Sequence, residues 1–95
     1  MTYRITEHTK RRAKEHGVTV EPSSLQGKKI DVIKAGRKVA SVGDKKYPDF
    51  GTYLSMEAKG QVKKGTADDR RRAYKARHKN YPVGSPGYWA DKLLW

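Results

Sequence analysis

The side chains able to do acid–base, nucleophilic or metal chemistry are few in this 95-residue sequence, and their spacing keeps them apart. Cysteine is absent, which excludes thiol nucleophiles, disulfides and Cys-rich zinc sites. His8, His16 and His78 are scattered, with no His-x-x-x-His pair and no acidic partner at ligand spacing. Asp68-Asp69 is the one adjacent pair of carboxylates, and at the opening of a helix it answers to the helix dipole before it answers to a metal. His78 beside Arg77 has the composition of a phosphate-binding or catalytic dyad, but no second acid or base shares its expected face, so a structural histidine is the preferred reading. Gly84-Ser85-Pro86-Gly87 lacks the Gly-x-x-x-x-Gly-Lys-Ser/Thr frame of a phosphate-gripping loop and reads as a turn. No catalytic residue, metal or cofactor is expected.

Cations are what the sequence holds in quantity. Twenty-two Lys+Arg face 10 Asp+Glu, for a net charge of +12. Nine of those cations, against two Asp, lie in Lys59–Lys79, so more than half of the excess charge occupies about a fifth of the chain. Such a concentration favours polyanions, nucleic acid first, with acidic protein surfaces or anionic membranes second. Arg70, Arg71, Arg72, Lys75, Arg77 and Lys79 are the expected phosphate contacts, and Arg37, Lys38, Lys63 and Lys64 extend the surface. The basic helix over 66–79 holds no Asn or Gln to read adenine, so sequence-independent binding to the backbone of duplex DNA is expected. Apolar runs stop at two or three residues, as in Leu93-Leu94-Trp95, and the first twenty residues are charged throughout. Neither a membrane partner nor a secretory signal is therefore expected.

The elements that must position these groups can be read from local signals. Residues 1–17 form a basic helix, with Thr6 or Thr9 as N-cap, Gly17 at its end and a thin stripe of Ile5, Thr9, Ala13 and His16. It is read as a solvated helix laid across the domain, with a nucleic-acid-contacting arm as the alternative. Val18–Val20 and the runs flanking Ala35-Gly36 predict a three-stranded antiparallel sheet over 18–43, its hairpin centred on 35–36. A lone hairpin needs a helix against its apolar face. The segment 48–59 is expected to supply it through Phe50, Tyr53, Leu54 and Ala58, entered at Pro48-Asp49 and stapled by Tyr47. Packing explains that stripe better than a base-stacking platform does.

Residues 66–79 predict an Arg-rich helix N-capped by Thr66. Its inner face would carry Tyr74, Arg77, His78 and Tyr81, and its outer face Arg71, Arg72, Lys75 and Lys79. A last helix, 86–95, opens at Ser85-Pro86 and carries Trp89, Leu93 and Leu94 as a lid on the core. The expected architecture is thus a small α+β domain spanning 1–95, a three-stranded antiparallel sheet packed with three to four short helices.

Several blocks in this order carry a resemblance: Gly17-Val18-Thr19-Val20, Lys28 to Val32, Gly36 to Gly43, Tyr47-Pro48-Asp49-Phe50, Asp69-Arg70-Arg71 through His78, and above all Gly84-Ser85-Pro86-Gly87-Tyr88-Trp89-Ala90-Asp91-Lys92-Leu93-Leu94-Trp95. The pattern resembles an uncharacterised family of short basic proteins of large double-stranded DNA viruses of algae and amoebae, with relatives in phages. The resemblance implies a viral origin and a place with the genome or particle, inside the host cell or virion, and it transfers no catalytic residue. The functional expectation is a non-enzymatic, sequence-independent nucleic-acid-binding accessory protein. The alternative is a minor structural virion protein, of capsid or cement type, that docks on capsid or other virion proteins through its aromatic C-terminus.

Overall fold

A computed structural model of the chain describes residues 3–95. Met1 and Thr2, included above in the N-terminal helix, lie outside the described residues. The element order is α1 (Glu7–Glu15), β1 (Thr19–Pro22), β2 (Lys28–Lys34), β3 (Arg37–Asp44), α2 (Phe50–Ala58), α3 (Thr66–Arg77) and α4 (Pro86–Leu93). The strands form an antiparallel sheet in the order β1-β2-β3, so the fold is α+β as expected. Three helix starts follow their caps: the side chains of Thr6, Asp49 and Ser85 accept the backbone N–H of Thr9, Thr52 and Tyr88.

The hairpin turns at Ala35-Gly36, with φ of 51° and 76°. Two successive positive φ values define the turn whose twist matches a right-handed hairpin. Glycine adopts this conformation freely, whereas the Cβ of alanine meets steric resistance there. Ile30 pairs with Val42 and Val32 with Ala40 on the apolar face, and a bulge between Val32 and Ile33 shifts the register toward the turn.

That face is covered differently from the sequence expectation. α4 packs on β3 and α1 on β1, while α2 packs on α3 and α1. Ile30, Val32, Val42, Trp89, Leu93 and Leu94 are buried together with Ala13 and Val18, so the C-terminal helix and α1 close the core. Each of the Ile, Val and Leu side chains contributes about 1.5–3 kcal/mol when fully removed from water. The predicted stripe of α2 is only half buried: Phe50 is inside, but Leu54 and Ala58 are exposed, and Tyr47 is too exposed to staple the helix entrance. The reason is geometric: α2 is buried at its N-terminal residues Phe50 and Gly51, and its later turns touch α3 through Glu57 and leave Leu54 and Ala58 in solvent. A methyl at Gly51 would overlap the Thr6 hydroxyl, so the missing side chain lets α1 and α2 approach closely.

Relief of the positive φ at residue 35 is testable. Ala35→Asn, which supplies the Asn-Gly pair favoured in this turn, is expected to raise stability by about 0.5–1 kcal/mol in urea unfolding. A lower midpoint would show that the turn does not hold this geometry.

Candidate nucleic-acid interface

The N-terminal end of α2 is where the elements meet, and it rests on a buried charge. Asp49 is fully buried, and its carboxylate accepts hydrogen bonds from Thr52 N (2.9 Å), Lys29 Nζ on β2 (3.0 Å) and the Tyr3 hydroxyl. Burial alone would raise the Asp49 pKa. The Lys29 ammonium, the Tyr3 hydroxyl and the Thr52 amide outweigh it and hold the carboxyl below the usual range. Phe50 N donates to Leu94 O (3.2 Å), which ties the end of α4 to the same point.

From this hub the Phe50 ring reaches toward α1 and α3. His8 meets it edge-on at 4.8 Å, and the Arg71 guanidinium lies over its face, 3.9 Å from the ring centre. The α3 start is held by α2, because Glu57 Oε1 accepts Ala67 N at 2.8 Å. Gly65 is the N-cap residue, and Thr66, the predicted cap, instead donates its hydroxyl to Lys63 O.

Between α1 and α3 this arrangement opens a groove of about 740 Å³. Arg11 and Arg12 line it from one side and Arg71, Arg72 and Lys75 from the other, with Phe50 and Trp95 in its walls. Glu15, paired with Arg12 at 3.4 Å, is the one acid among the lining residues. His8 adds no charge at neutral pH: burial, then Arg12, Arg11 and Arg71, push its pKa down to about 4 against a weaker opposing effect of Asp49. The cations are held in place by local partners. Arg12 Nε donates to Lys92 O (2.9 Å), Arg71 pairs with Asp68 and Arg72 with Asp69 at i,i+3, and Lys75 Nζ reaches Asp91 Oδ1 at 2.7 Å. The exposed i,i+3 pairs of Arg71 and Arg72 are worth about 0–1 kcal/mol, so phosphate oxygens can compete for them.

The predicted site residues therefore separate. Arg71, Arg72 and Lys75 share the groove, although Lys75 is anchored on α4 and is not free on an outer face. Arg70 and Arg77 line a second cleft on the neighbouring face of α3, and Arg77 is exposed, outside any inner face. Tyr74 and His78 do turn inward, in a near-parallel stack with Trp95, while Tyr81 is exposed and joins His78 Nδ1 through its hydroxyl at 2.6 Å. Lys79 lies in a smaller depression with Lys92. Arg37, Lys38, Lys63 and Lys64 line neither the groove nor that cleft, and Lys38 instead faces the buried Asp31 at 3.8 Å.

Arg11 and Arg12, which complete the groove, were not among the expected contacts. Their signal in the sequence was the basic run Lys10-Arg11-Arg12, but only the packing of α1 beside α3 tells which of those cations face inward. Among the described residues no cluster of His, Asp and Glu gathers as metal ligands, and no helix is long and apolar enough to cross a membrane. The chain matches no protein-family model, no curated protein and no solved structure.

Asp49→Asn retains the helix cap and strips the charge, leaving Lys29 buried without its counter-ion. The expected cost at pH 7 is about 3–5 kcal/mol of stability. Because the folded carboxyl titrates below the unfolded one, its contribution is complete above about pH 4 and fades as pH falls through the folded value. The gap between wild type and variant in denaturant unfolding should therefore narrow below pH 4. A gap that is independent of pH would mean that the Asp49 charge does not matter.

Proposed function

We propose that this protein is a non-enzymatic, sequence-independent nucleic-acid-binding accessory protein that grips the phosphate backbone of duplex DNA in the α1–α3 groove. The observation that carries this proposal is the convergence of Arg11, Arg12, Arg71, Arg72 and Lys75 on one concave face, from two helices far apart in sequence. Guanidinium groups match phosphate oxygens in geometry, and a groove lined by one sign of charge concentrates polyanions. Among the described residues no Asn or Gln lines the groove, and its cationic lining suits backbone contact better than base reading. Association with the genome or particle of a double-stranded DNA virus, in the virion or the infected cell, is proposed on the resemblance carried by Gly84 to Trp95.

The alternative, docking on virion proteins through the aromatic C-terminus, finds little support. Trp89, Leu93 and Leu94 are buried and Trp95 is stacked on Tyr74, so that segment is committed to the core of this chain.

Arg71→Glu combined with Arg72→Glu tests the groove. Duplex affinity is expected to fall by more than about tenfold, with the circular dichroism spectrum unchanged. The wild-type slope of log K against log salt, about −4 to −5 for five engaged phosphates, should become shallower by roughly 2. Unchanged duplex affinity would place the contact surface elsewhere.

A further inference from the structure

The second cleft, about 460 Å³ in volume, lies between the β3–α2 connection, α2, α3 and the end of α4, and differs in kind from the groove. Tyr47, Tyr53, Tyr74, His78 and Trp95 make it aromatic, and Arg70 and Arg77 make it cationic. Those two guanidinium groups contrast with their neighbours on α3. Arg71, Arg72 and Lys75 all have carboxylate partners, whereas among the described residues Arg70 and Arg77 make no ion pair or hydrogen bond, and Arg70 only lies over the Tyr53 ring at 5.8 Å.

The rings also divide. Tyr74 is covered on account of its two parallel neighbours, Trp95 at 4.5 Å and His78 at 4.2 Å. Burial, then Tyr81 and Asp91, push its hydroxyl up to about 12, so it stays neutral. Tyr47 is the opposite case: it lines the cleft, is 67% exposed and, among the described residues, contacts no other ring. An uncovered aromatic face beside unpaired guanidinium groups, in a cleft within the size range of small-ligand sites, fits a flat ring joined to phosphates. Among the described residues Asp44 is the one acid lining the cleft, against the two arginines.

We infer that this cleft holds an unpaired nucleotide of a single strand, its base stacked on Tyr47 and its flanking phosphates on Arg70 and Arg77. The inference rests on the nucleic-acid reading above and deepens it, because a paired and stacked base in a duplex offers no free face to Tyr47. The protein would then engage duplex through the groove and unpaired strand through the cleft, as suits a junction or a frayed end.

Fluorescence anisotropy with three labelled probes, each about 12 nucleotides long, tests this: oligo(dT), an abasic strand with the same sugar-phosphate backbone, and a duplex. Oligo(dT) is expected to bind about tenfold more tightly than the abasic strand, the difference being the stacked base. Tyr47→Ala should erase that advantage and leave duplex affinity as it was, while Tyr47→Phe should preserve it. Equal affinity for oligo(dT) and the abasic strand, or an advantage that survives Tyr47→Ala, would overturn the inference. Either result leaves the groove standing, since the groove is tested by the Arg71 and Arg72 variants against duplex alone.

Discussion

The carboxylate of Asp49 is the interaction on which the remaining structure depends. It lies fully inside the protein, yet it touches three separate parts of the chain: the N-terminal segment through Tyr3, the sheet through Lys29, and α2 through the Thr52 amide. A buried ion pair stabilises only when its remaining hydrogen-bonding capacity is met, and here one carboxylate is a helix cap, a counter-ion and a tyrosine acceptor together. The adjoining residues extend the hub. Phe50 N binds the end of α4, and Gly51 admits the Thr6 cap of α1. A small chain with no disulfide thus fixes four elements at one point.

The groove follows from that point. With α1 and α3 both packed on α2, Arg11 and Arg12 are brought opposite Arg71 and Arg72, and the Phe50 ring provides the surface on which Arg71 lies. Like charges so placed repel one another. The structure offsets the repulsion with Asp68, Asp69, Glu15 and Asp91, and with a His8 kept neutral by burial and by the neighbouring guanidinium groups. Most of these pairs are weak and exposed, which keeps the cations oriented without committing them.

Local features were legible in the sequence because their causes are local. The caps at Thr6, Asp49 and Ser85, the Ala35-Gly36 turn and the alternation of Ile30 and Val32 each depend on a few adjacent residues, and each is found where expected. Thr66 is not the cap because Gly65 holds the N-cap position in a left-handed conformation, and a residue of another helix, Glu57, accepts the Ala67 amide. The stripe of α2 misled because apolar spacing does not say which end of a helix is buried, and the sheet found its cover in α1 and α4 instead. At the candidate site the charge of α3 was legible, but its division between groove and cleft was not. Residues 71, 72 and 75 turn one way and 70, 74 and 77 another, and only the neighbours of α3 give those directions their meaning. Lys29 carries no local signal of its role, because nothing within its own segment points to a buried partner twenty residues away.

Whether the two helices form one polyanion surface is the central claim, and nuclear magnetic resonance of the Arg side chains tests it most directly. Titration with a short duplex should shift the Nε–Hε signals of Arg11, Arg12, Arg71 and Arg72 together, with a single saturation curve, and leave Arg37 at the hairpin unchanged. Shifts at Arg37 with the α1 and α3 signals unmoved would contradict the account.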